Sequence, residues 1–168
     1  MKKLNNKQML IRKLVSLGCA VVCVLLMMVN FISYTSSSSL IGGGAVTWNN
    51  KVSLFNFLFN GDKVVMDAEV SVLRDVFGFA YVIMWISFIL FVASIVLLTI
   101  GVFMKKTLIS KLGSCILFGG LLLLCLISFD KYEFGNTIKY MDVFTLMYGV
   151  IVLVSVGGLV SSLTLDNK

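Results

Sequence analysis

The chain has 168 residues, of which 59% are hydrophobic and only 13% charged, with a net charge of +6. Soluble domains are about half apolar and a quarter charged, and so short a chain cannot hide this much apolar surface from water, which leaves the membrane class. The absence of His removes the commonest metal ligand and the side chain best suited to proton transfer near neutral pH, and the absence of Pro removes proline kinks.

A hydrocarbon core about 30 Å thick needs roughly 20 apolar helical residues. Residues 1–13 read as a basic tail, and charge-free runs follow at 14–34, 77–104, 112–129 and 143–165. The sequence therefore predicts an all-α membrane protein, a four-transmembrane-helix bundle with a single membrane domain. The second run, at 1.5 Å per residue, exceeds the bilayer core and is expected to tilt or protrude. A signal peptide at the amino terminus is the competing reading of the first run. Its apolar core is too long for one and no A-x-A site follows, so it reads as a retained anchor. Ser16-Leu17-Gly18-Cys19 leaves too little apolar sequence before Cys19 for a lipoprotein signal.

Lys2, Lys3, Lys7, Arg12, Lys13, Lys105, Lys106, Lys111 and Lys168 fall on one side of these spans, with Asp166. The other side carries Lys51, Lys63, Arg74, Lys131 and Lys139 against Asp62, Asp67, Glu69, Asp75, Asp130, Glu133 and Asp142. The first set sums to +8 and the second to −2. The positive-inside rule then places both termini in the cytoplasm, as expected of a multi-pass protein of the plasma membrane. The tyrosines and both tryptophans, Trp48 and Trp85, fall in the outer half, where an aromatic belt sits.

The outer loop at 35–76 is the only soluble segment of any size. TSSSSLIGGG reads as a flexible lead-in. Val52–Phe59 is expected to be a strand, and Asn60-Gly61 is a hairpin signal between it and Val64–Leu73, which fits a strand or a helical extension of the second span equally. The result is a small extracellular β-hairpin-like cap. An isolated hairpin is marginal in water, so its greasy face needs the second outer loop (130–142), the outer helix ends or a partner. The inner link, 105–111, and the tail at 166–168 are too short to fold.

No Asp, Glu, Lys or Arg falls within the four runs, which argues against ion-coupled transport by this chain alone. Cys19, Cys23, Cys115 and Cys125 all lie in spans, where a thiol acts as a small hydrophobe, and the outer loops have none for disulfide exchange. Cys19 and Cys23 share a helix face. Asn30, Ser110, Ser114, Gly119, Gly157, Gly158 and Ser161 are the expected helix-packing residues, because small and hydroxylated side chains let helices approach. The outer acids lack the convergent spacing of a calcium site. No motif for a cofactor, a metal, catalysis or nucleic acid is present, and the basic tail is expected to touch membrane lipid.

The layout of a larger first outer loop, a short inner link and a smaller second outer loop resembles the claudin-type four-span (tetraspan) architecture. That resemblance implies a small sheet in the first outer loop, contacts between proteins, and a tryptophan where Trp48 stands. The residues after it, NNKVSLFNF, lack the family's cysteine pair. The lysine- and asparagine-rich, disulfide-free style equally resembles small bacterial membrane proteins. Trp48, Phe55, Phe57 and Phe59 are expected to contact another membrane protein or a second copy, since exposed aromatics mark interfaces. The alternatives are that they pack on the chain's own helices, and that the chain is a channel or transporter subunit whose pore forms only in an oligomer.

Overall fold

The computed structural model describes residues 6–39, 45–59, 78–104, 106–129, 131–134 and 137–165. Four helices are long and apolar enough to cross a membrane: α1 (Asn6–Leu26), α3 (Gly78–Phe103), α4 (Thr107–Leu124) and α5 (Leu146–Leu163). A 3-10 turn over Cys125–Phe129 prolongs α4. Only 22–39% of each apolar stretch is buried within the chain. Ile86, Ile89, Val92 and Val96 on α3 and Leu153, Val156 and Val160 on α5 all face outward. A surface this apolar suits hydrocarbon and not water, and helices satisfy their own backbone polar groups there. The four helices point to a multi-pass membrane protein.

The helix bounds differ from the charge-free runs most at the first span, which was expected at 14–34. Helix α1 starts at Asn6 and ends at Leu26, and the chain is already a strand at Ile32. Counting charges sets the start of a span too late when the charges have work to do inside the fold. Here Arg12 Nη1 donates to Thr164 O at 3.1 Å, just past α5, and Lys13 Nζ donates to Gly101 O at 2.9 Å, in the last turn of α3. The last carbonyls of a helix have no partner within it and carry its negative dipole end, so adjacent cations on α1 satisfy two helix C-termini. Lys111 likewise lies inside α4. Helix α3, with 26 residues, is about 39 Å long and exceeds the hydrocarbon thickness, as its sequence predicts.

The chain divides into two compact units. One is helical, made of Met1–Leu26, Ser87–Leu122 and Val150–Lys168; the other, made of Met27–Ile86 and Leu123–Gly149, contains a sheet. Small residues close the helical unit. A Cβ on Gly113 would lie 2.9 Å from Leu98 Cγ and 3.2 Å from both Leu98 N and Ser94 O, and Gly101 lies against Ser110. Ser16 Oγ shares a 2.7 Å hydrogen bond with Ser114 Oγ and donates to Gly158 O at 3.0 Å, tying α1 to α4 and α5. Ser94 and Thr99 instead donate to Phe91 O and Ile95 O of their own helix, a usual way to satisfy a hydroxyl in an apolar setting.

In place of the hairpin expected beside the four helices, the sheet unit has a four-stranded antiparallel sheet in the order β2-β1-β4-β3. Its strands are β1 (Ile32–Ser39), β2 (Ala45–Val52), β3 (Lys131–Phe134) and β4 (Thr137–Asp142). β1 pairs with β2 from Ile32↔Val52 to Ser39↔Ala45 and with β4 from Ser33↔Asp142 to Ser38↔Thr137. The serine-rich run expected to be a flexible lead-in is thus, through Ser39, a central strand. Serine composition favours neither state strongly, and partners on both sides hold the backbone extended.

The strand expected at Val52–Phe59 is mostly a helix. β2 stops at Val52, and α2 (Leu54–Phe59) follows. Ser53 caps it: its Oγ accepts the Asn56 N–H at 3.1 Å and its carbonyl accepts the Phe57 N–H at 3.0 Å. Burial of Leu54, Phe57 and Leu58 with exposure of Phe55 and Phe59 is a helical pattern. The expected turn at Asn60-Gly61 and the segment 64–73 lie outside the described residues.

Candidate functional site

Helix α2 sorts its three phenylalanines by its own period. Phe57 is 6% exposed, whereas Phe55 and Phe59 are 37% and 47% exposed. Five rings run in a continuous series: Phe55–Phe59 at 4.7 Å between centroids, Phe59–Trp85 at 5.3 Å, Trp85–Tyr81 at 6.3 Å and Tyr81–Phe57 at 6.2 Å. The Phe59–Trp85 and Tyr81–Trp85 pairs are edge-to-face, a favoured geometry for aromatic quadrupoles. One end of the series is therefore buried and the other is presented at the surface.

Of the expected contact residues, Phe55 and Phe59 are displayed together. Phe57 is corrected to a core residue, because its position on α2 turns it toward Tyr81. Trp48 occupies β2 opposite Ser36, and its side chain lies outside the described residues. The tryptophan beside the exposed pair is Trp85, which the sequence marks only as a belt residue. Its spacing of four from Tyr81 on α3 was the available signal.

β2 and β3 are the outer strands of the sheet. An edge strand carries a row of backbone groups open to pairing with another chain. Among the described residues β2 pairs only with β1, and α2 with its exposed phenylalanines begins two residues after β2 ends.

The expected helix-packing residues separate clearly. Ser114 and Gly158 meet Ser16 as described, a Cβ on Gly158 would come within 2.9 Å of Cys19 Cβ, and Ser161 Oγ donates to Arg12 O at 2.9 Å. Ser110 is fully buried beside Gly101, and its hydroxyl, like those of Ser87 and Ser155, has no hydrogen-bond partner among the described residues. Among the described residues Gly119 and Gly157 have nothing within 4 Å of where a Cβ would stand, so neither mediates close packing there. Gly120 does instead, against Phe91. Asn30 is corrected too: it lies beyond the end of α1 and is exposed. Sequence spacing identifies small residues but not which side of a helix has a neighbour.

The same unit that holds the aromatic series also orders its second hairpin. The Asp142 carboxylate accepts the Phe144 N–H at 2.8 Å, Ser128 Oγ accepts the Val143 N–H at 2.8 Å, and Thr145 Oγ1 accepts the Tyr148 N–H at 3.3 Å at the start of α5. These bonds fix where β4 turns into α5. All four cysteines are free thiols, and Cys23 donates to Ile151 O at 3.5 Å, a packing role. Among the described residues no group of three or more Cys, Asp or Glu is placed to hold a metal.

No protein-family model matches this sequence, and no curated protein matches it.

Proposed function

We propose that this chain is a non-enzymatic, four-span protein of the plasma membrane, with both termini in the cytoplasm, whose outward sheet unit associates with another membrane protein or a second copy. The observation that carries this reading is the surface pair Phe55 and Phe59, at 37% and 47% exposure, following an edge strand. Exposed aromatics beside an open strand combine the two usual means of recognition, ring burial for affinity and backbone pairing for register. Orientation follows from the charge asymmetry of +8 against −2. A sheet built from both outer segments supports the architectural likeness to claudin-type proteins, although the outer segments have no cysteine pair. An oligomer that conducted ions would instead fit the pore-subunit reading, which the same preparation can test by flux in liposomes.

The test is the mass of the complex in mild detergent together with crosslinking in native membranes. Wild-type protein should run as a homo-oligomer or with a stoichiometric partner. Phe55→Ser with Phe59→Ser should reduce that association at least about tenfold, the loss of two interface aromatics, while leaving the melting temperature nearly unchanged. A wild-type chain that stays monomeric and partner-free would overturn the proposal.

A further inference from the structure

The basic end of the helical unit has a cavity of about 510 Å³. It is lined by Asn6, Lys7, Met9, Leu10 and Lys13 of α1 and Val102 of α3. Its polar lining residues are two lysines and an asparagine; the others, Met9, Leu10 and Val102, are apolar. Lys13 is only 4% exposed, and its bond to Gly101 O uses one of three ammonium donors. The described residues of this unit include Lys7, Arg12, Lys13, Lys106 and Lys111 and no Asp or Glu. A nearly buried cation is costly without an anion nearby, and no carboxylate among these residues supplies one.

We propose that this cavity binds the phosphate-bearing headgroup of an anionic phospholipid. Lys7 and Lys13 take the phosphate oxygens, Asn6 donates or accepts at the glycerol, and Met9, Leu10 and Val102 lie along the start of an acyl chain. Size favours an amphiphile over a bare anion. A cavity within the usual range of about 300–1,000 Å³ for small-molecule sites exceeds what one phosphate fills, given about 30 Å³ for each water. Position agrees: the lining residues lie in the first turns of α1 and in the last turn of α3, helix ends that fall at headgroup depth in a four-span protein. Basic pockets between spanning helices recognise acidic headgroups in this way. The proposal rests on the multi-pass reading but not on any partner of the sheet, so a monomeric chain leaves it standing.

The experiment titrates the full-length protein in neutral detergent with phosphatidylglycerol, phosphatidylcholine or inorganic phosphate and reads bound adducts by native mass spectrometry. Phosphatidylglycerol should bind on the order of tenfold more tightly than phosphatidylcholine, with one high-affinity site per chain. Lys7→Gln, on an exposed position, should weaken phosphatidylglycerol about fivefold at an unchanged melting temperature, and Lys13→Gln should weaken it at least as much. Lys106→Gln, outside the cavity, should have no effect. Equal affinity for the two lipids would overturn the proposal, as would equal losses from Lys7→Gln and Lys106→Gln, which mean a diffuse charge effect. Inorganic phosphate binding as tightly as phosphatidylglycerol would overturn it as well, since the apolar wall would then contribute nothing.

Discussion

Truncating Phe57 to alanine should destabilise the protein by about 3–5 kcal/mol, the cost of emptying a buried aromatic site. The ring is 6% exposed and packs on Tyr81, with Leu54 and Leu58 buried on the same side of α2. Six residues make too short a helix to persist alone, so α2 depends on this packing and on its Ser53 cap. Against a total of about 5–15 kcal/mol, the loss is large. Phe55→Ala and Phe59→Ala, one turn apart on the exposed side, should change stability by about 1 kcal/mol or less. Unfolding of the purified protein in detergent, followed by circular dichroism, separates these outcomes. Similar losses at all three positions would show that α2 does not distinguish an inner from an outer side.

Gly113→Val should open the contact between α3 and α4 and destabilise the protein by about 1–3 kcal/mol, the usual cost of overpacking. The added Cβ would stand 3.2 Å from both Ser94 O and Leu98 N, backbone atoms of α3 that have no rotamer to move into. The helices must then separate, and the short connection from Phe103 to Thr107 limits how they do so. Gly119→Ala and Gly157→Ala meet nothing within 4 Å among the described residues and should be neutral within about 0.5 kcal/mol. Unfolding by titration with sodium dodecyl sulfate measures all three. Equal effects would mean that close approach at Gly113 does not hold the helices together.

Much of this architecture is legible in the sequence because lipid makes a simple demand. A spanning segment must be long, apolar and helical, and each of the four runs overlaps one of the four helices. The bounds differ most at α1, because Arg12 and Lys13, which a charge count assigns to the water phase, bond Thr164 O just past α5 and Gly101 O in the last turn of α3. The sheet was harder. Its β1–β4 pairing joins residues about a hundred positions apart, from Ser33↔Asp142 to Ser38↔Thr137, and no local pattern encodes that. A polyserine run carries no period to announce a strand. Apolar residues in Val52–Phe59 suggested extension, but imperfect alternation and Ser53 at the start held the helical signal. For the candidate site, residue types were readable and their sides were not. Phe55 and Phe59 emerged outside and Phe57 inside because α2 has a period near 3.6, where a strand would have put all three on one face. Trp85 joined them through contacts that spacing on α3 alone did not reveal.

The orientation of the chain is the claim on which the proposed association through an outward-facing sheet depends. Single cysteines placed at Asn49 in β2 and at Lys7 in α1, with the four native cysteines changed to alanine, can be probed in intact cells with a membrane-impermeant maleimide. Asn49→Cys is expected to be labelled at once and Lys7→Cys only after the membrane is permeabilised. Labelling of Lys7→Cys in intact cells, with Asn49→Cys protected, would contradict this orientation.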